Sequence, residues 1–135
     1  YVPMDNYAEN IVTRSQSEKP TNEVVMDQSQ NIALPQQQEV RYVTISDIVR
    51  CEASDNYTFF ITHNEEKILI SRSLKEFSAT LKPYGFMRTH QSHLVNPKYV
   101  KSWLKEDGGV LLLLNGDKVP VSKPNREVVR ENLER

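Results

Sequence analysis

The chain has 135 residues, of which 38% are hydrophobic and 26% charged, with a formal net charge of −1 and a single cysteine. That leaves room for one domain with a modest core, and it excludes an internal disulfide or a cysteine-based zinc site, in keeping with a reducing compartment. No run approaches the roughly 18 apolar residues of a membrane span, and the opening YVPMDNYAEN lacks the basic-then-apolar layout of a signal peptide, so a soluble cytoplasmic protein is expected. The net charge becomes informative once divided. Residues 1 to 38 carry −3 and residues 39 to 135 carry +2, while the stretch from Lys67 to Lys101 holds seven bases against the single acid Glu76. Polyanions respond to such local excess rather than to the charge of the whole chain.

In chain order, residues 1 to 39 contain no glycine and the polar clusters TRSQSEKPTNE and QSQN, and end in PQQQE. Residues 1 to 30 read as a linker or tail, with a short helix possible over Asp5 to Arg14, and the domain proper is expected over 31 to 135. NIAL (31 to 34) is a candidate first strand. From Val40 the apolar period becomes two, and VRYVTI, IVRCEA (48 to 53), NYTFFITH (56 to 63) and KILISR (67 to 72) read as strands between short polar turns. Ser73 and Glu76 fit a capping box, and Leu74, Phe77 and Leu81 give the following helix its apolar face until Pro83 and Gly85 stop it.

The remainder reads as a meander. VKSWLKE (100 to 106), VLLLL (110 to 114) and KVPVS (118 to 122) are separated by Asp107-Gly108-Gly109 and Asn115-Gly116, which supply the positive φ angles of tight hairpins. A last helix is expected over Asn125 to Leu133. The five apolar residues of VLLLL are read most simply as a strand buried on both faces, the alternative being an exposed interaction strand. Cys51 alternates with Val49 and Ala53, which predicts a shared buried face and an inert thiol. The fold class is mostly β, antiparallel, with one or two short helices.

One stretch is unusual in chemistry. GFMRTHQSHLVNPKYV (85 to 100) gathers hydrogen-bonding side chains and contains no acid. Arg88 and Lys98 can hold phosphates, His90 and Ser92 can donate to phosphate or backbone, and the Gln91 amide can pair bidentately with an adenine edge. Each has a structural alternative. His90 can brace the loop, His93 can pack, and Asn96-Pro97 can open a helical turn with Asn96 as its cap. Tyr57 can equally be core, since it shares a strand face with Phe59 and Ile61. A metal at His90 and His93 is not expected: on one extended strand the two would face opposite sides, and no carboxylate lies nearby.

IVRCEASDNYTFFIT, KILISRSLKEF, FMRTHQSHLVNPKYV and DGGVLLLLNGDKVPVSKPNREVV resemble, segment by segment and in order, the LytTR DNA-binding domain, an output module of bacterial response regulators. The pattern Arg-x-His-x-Ser-x-(apolar)-Val-Asn, here Arg88, His90, Ser92, Val95 and Asn96, is the most specific piece. The resemblance implies elongated antiparallel β-sheets of about ten short strands, with DNA read through loops rather than a recognition helix. It implies base contacts from Gln91, from the loop holding Asp55, Asn56 and Tyr57, and from the SKPNR segment, where Lys123 and Arg126 compete for the third contact. It further implies a receiver domain upstream and pairing of two chains on direct repeats in promoter DNA, the isolated fragment being mainly monomeric.

Other classes fit less well. No glycine-rich phosphate loop, nucleophile-base-acid set or paired carboxylates point to an enzyme, and no cofactor is expected. A protein-interaction or dimerisation module that pairs through its edge strands is the alternative to DNA binding, distinguished by its weak dependence on salt.

Overall fold

A computed structural model describes residues 26 to 134. The helix expected over Asp5 to Arg14 lies outside the described residues. The strands are β1 (Asn31–Pro35), β2 (Val40–Thr44), β3 (Ile48–Ser54), β4 (Tyr57–Thr62), β5 (Lys67–Ile70), β6 (Met87–His90), β7 (His93–Val95), β8 (Val100–Leu104), β9 (Val110–Leu113) and β10 (Lys118–Pro120). Helix α1 (Leu74–Leu81) lies between β5 and β6, and α2 (Arg126–Leu133) follows β10. The strands form a ribbon β1-β2, a five-stranded sheet in the order β5-β4-β3-β7-β6, and a three-stranded sheet β10-β9-β8. Every pairing among the described residues is antiparallel. The mostly β fold class expected from the sequence is what forms.

The five-stranded sheet carries a core on each face. On one, Phe60, Ile68, Ile70 and Leu94 meet α1 through Leu74, Phe77 and Leu81, with Leu34 and Val43 of the ribbon closing the layer. Phe60 and Phe77 meet edge to face with centroids 4.7 Å apart. Such a pair adds about 0.5–1.5 kcal/mol to the burial of the rings themselves. On the other face, Val49, Met87 and Val95 pack with Leu111, Leu113, Val119 and Val129, which bring in the three-stranded sheet and α2. Arg50 ties the two sheets at their rim: its Nε donates to Asp117 Oδ2 at 2.9 Å and its Nη1 to Glu52 Oε1 at 2.9 Å.

A bulge makes the double core possible. The β3-β4 register shifts between Ile48 and Arg50, so Val49 does not share the face of Cys51 as simple alternation requires. Ile48 and Cys51 point into the first core and Val49 into the second. Cys51 is fully buried, and loss of water pushes its thiol well above the ordinary range, leaving an inert side chain. The expected double burial of VLLLL also fails. Leu111 and Leu113 are buried, but Leu112 is half-buried and Leu114 is 61% exposed, because the three-stranded sheet has a packing partner on one side only.

Local signals are met elsewhere. The Ser73 hydroxyl accepts from the Glu76 N–H at the start of α1, and Gly85, at φ 96°, ends the turn that follows it. Asn96 caps a 3-10 turn over Pro97–Tyr99 by accepting from the Lys98 N–H. Residues 26 to 30, assigned to the linker by composition, are tied to the domain. Met26 N–H donates to Pro83 O at 2.7 Å, the Gln28 amide donates to Tyr84 O at 2.6 Å, and Gln30 O accepts from Ile45 N–H at 2.8 Å.

Candidate nucleic-acid interface

The stretch from Arg88 to Asn96 is a hairpin rather than an irregular loop. Arg88 faces Leu94 and His90 faces His93 across the β6-β7 ladder, which leaves Gln91 and Ser92 as its turn. His90 and His93 therefore form a cross-strand pair with ring centroids 5.5 Å apart, contrary to the opposite-face placement expected of one continuous strand. The chain reverses between them, which that expectation did not allow for. No cluster of three metal-ligating side chains occurs among the described residues.

Arg88 and His90 are engaged in holding this turn. Arg88 Nε donates to His90 O at 3.0 Å and its Nη2 to Gln91 O at 2.8 Å, while the Ser92 N–H donates to His90 Nδ1 at 3.1 Å. The structural alternative for His90, a brace, is realised, and it fixes Nδ1 as the unprotonated nitrogen. Burial holds His93 below the ordinary histidine range, with a smaller opposing pull from Glu52. Gln91 stands exposed at the apex, its side-chain amide making no hydrogen bond among the described residues.

Ladder hydrogen bonds place further segments beside this apex. The Ala53 N–H donates to Ser92 O at 2.9 Å, so the β3-β4 turn, with Asp55 at φ 56° and Asn56 beside it, lies next to the β6-β7 turn. Tyr57 is 44% exposed and stands outside the core, whereas Thr58 and Phe60 on the other face are fully buried. The β10 end follows on the other side. The Thr89 carbonyl accepts from the Ser122 N–H at 2.9 Å and from the Asn125 amide at 3.3 Å, which docks the 3-10 turn Lys123–Asn125 against β6 with Lys123 exposed. Three turns from distant parts of the sequence thus form one tip.

Two sequence candidates are not among the exposed groups of these three turns. Arg126 opens α2 with its guanidinium against Gly108, so Lys123 is the exposed base at the third turn. Lys98 follows the far end of β7, next to Asn96, whose amide donates to Ile48 O at the start of β3; the tip is at the end of β3. One base was not singled out by sequence. Arg72 is exposed, and its carbonyl accepts from Thr58 Oγ1 at 2.8 Å, which sets it beside the β3-β4 turn. Only the β4-β5 ladder, Thr58 opposite Ile70, reveals that neighbourhood. Lys75 and Lys82 ride on α1 and its extension, over the first core.

The family model of the LytTr DNA-binding domain matches residues 38 to 134, and the chain belongs to that family of DNA-binding domains. The chain is similar to the LytTr DNA-binding domain of a putative methyl-accepting/DNA response regulator from Bacillus cereus, with a TM-score of 0.67 and 27% identity over 77% of this chain and 96% of that one. It is also 30% identical, over 94 residues, to the heme-containing CO-sensing transcriptional regulator RcoM 2 of Paraburkholderia xenovorans (strain LB400). That match covers 67% of this chain and 35% of the relative, so the chain spans about a third of the curated protein it matches. No helix among the described residues is long and apolar enough to cross a membrane.

Proposed function

We propose that the three-turn tip reads duplex DNA sequence-specifically, as the output end of a transcriptional regulator. The observation that carries this reading is the convergence of Asn56, Gln91 and Lys123 on one end of the five-stranded sheet. Gln91 and Asn56 present amides able to pair with adenine edges, Lys123 holds a phosphate, and Tyr57 and Ser92 flank the apex. Arg88 and His90 act through the turn, fixing where Gln91 points. Turns carried on a rigid sheet reach a groove without a recognition helix, which agrees with α1 being spent on the core.

The output role finds support in the relatives, both regulators by their names. We assign the upstream partner to a receiver domain whose activation pairs two chains on a direct repeat in the cytoplasm, the second tip gaining from raised local concentration. Mobility shifts against a duplex selected from a random-sequence pool, over a salt series, test the reading. Specific binding with a steep salt slope supports it, and salt-insensitive self-association would favour an interaction module instead. Sedimentation of the fragment without DNA should give mainly monomer; a tight dimer removes the receiver-driven step.

A further inference from the structure

The row of turns at the tip continues past Lys123. The Val121 N–H donates to Gly109 O at 3.2 Å, one residue before Ser122 bonds Thr89, so the β8-β9 turn, residues 105 to 109, is the next member of the same hydrogen-bonded series. On its flank lies an open cleft of about 420 Å³, walled by Trp103, Lys105 and Gly108 on one side and by Arg126, Arg130 and Leu133 of α2 on the other. Those three helix residues sit at i, i+4 and i+7, a single stripe.

Two glycines shape the cleft. A side chain at Gly108, whose φ is 84°, would fall on the Arg126 guanidinium, and one at Gly109 would fall on the Trp103 ring. Their absence lets both groups lie close against the turn. Arg130 sits over the same indole, 5.9 Å from the ring centroid. Lys105, Arg126 and Arg130 face one lining carboxylate, Glu134, and none of the three makes an ion pair among the described residues. Arg126 Nε is buried without a hydrogen-bond partner. Of the acids in the turn, Glu106 is drawn to Lys118 at 3.5 Å, and Asp107 stays exposed.

We infer that this cleft is a phosphate site, filled by the DNA backbone beyond the segment that Gln91 and Asn56 contact. The inference rests on the reading of the tip as the DNA end. Guanidinium forks match phosphate oxygens. Arg130, lying over the indole, leaves less room for a base to stack on Trp103.

The test uses the full chain, the selected duplex trimmed to its site, and the same duplex extended by about half a helical turn on each flank. Wild type should bind the longer duplex more tightly and with a steeper salt slope. In the Lys105→Gln, Arg130→Gln double variant that gain should vanish, the slope on the longer duplex falling by about 0.9 for each phosphate no longer neutralised, while binding to the short duplex is retained. An Arg130→Lys variant, which keeps the charge, should recover part of the gain. A double variant with the wild-type slope on the longer duplex overturns the inference and leaves the tip reading intact. Wild type binding neither duplex overturns both. If inorganic phosphate raises the melting temperature of wild type but not of the double variant while their DNA slopes coincide, the cleft serves a free phosphate compound, and its assignment to the DNA backbone is overturned.

Discussion

The guanidinium of Arg88 donates to the backbone carbonyl of Gln91 at 2.8 Å, so the base best placed by sequence to grip a phosphate is engaged in shaping the apex beside it. Its Nε bond to His90 O makes the grip two-pronged. Lysine cannot reproduce a fork of that shape. Arg88→Lys is expected to keep the charge yet loosen the turn, weakening cognate binding while leaving the salt slope near that of wild type. Isotherms across a salt series decide it, since a slope reduced by about 0.9 would mean that Arg88 itself held a phosphate.

Gln91 is the complementary case, exposed and free at its side chain. Gln91→Ala should change folding stability by within about 0.5 kcal/mol, as exposed turn substitutions generally do. Cognate affinity should fall by about 1–3 kcal/mol, with random-sequence affinity unchanged. Parallel melting and binding curves on one preparation separate the outcomes. Equal losses on both DNAs would make Gln91 a backbone contact.

Asn96 predicts the opposite pattern. It is fully buried, donates to Ile48 O at 3.0 Å, accepts from the Lys98 N–H at 3.2 Å, and pairs its amide with that of Gln28. Asn96→Ala strands these groups, at about 1–3 kcal/mol for each buried one left unmet. Urea denaturation should show a clear loss of stability. A midpoint like that of wild type would mean that water replaces the missing bonds.

His93 makes stability depend on pH. Burial lowers its folded value below the ordinary one, so the unfolded chain takes up the proton first, and the contribution of neutral His93 is complete above about pH 6.5. It is lost as pH falls from there through the depressed folded value. Wild type should therefore lose more stability between pH 7.5 and pH 5 than His93→Gln does, by urea titration at each pH. The same loss in both would mean that His93 does not carry the pH dependence.

Much of the architecture was legible because it was local. Ser73 with its helical apolar stripe, and the glycines after Asp107 and Asn115, state a helix and two turns without reference to the rest of the chain. The misreadings share a cause. Val49 leaves the face of Cys51 through a bulge set by the demand of two cores, and Leu114 is exposed because no layer covers that side of its sheet. His90 meets His93 only because the chain turns between them. At the tip, the family resemblance pointed to Gln91, to Asn56 and to either Lys123 or Arg126, but the sequence did not say that Arg88 was occupied, that Arg126 lay on Gly108, or that Lys98 stood at the far end. Those facts depend on ladders joining residues dozens of positions apart, as Ser122 joins Thr89.

The attachment of Met26 to Pro83 and of Gln28 to Tyr84 and Asn96 has a mechanical consequence. Gln28 and Gln30 accept from Ser46 and Ile45, just before β3 begins, whereas the tip follows Ser54. At roughly 3.3 Å per strand residue, the seven residues of β3 separate the two by about 20 Å. A load pulled through the chain ahead of Met26 would enter at the end of the sheet opposite the tip and meet first the Met26–Pro83 bond and then the Gln28–Asn96 clasp. The sheet would then act as a stiff handle, tilting the three-turn tip as a unit without prying its turns apart.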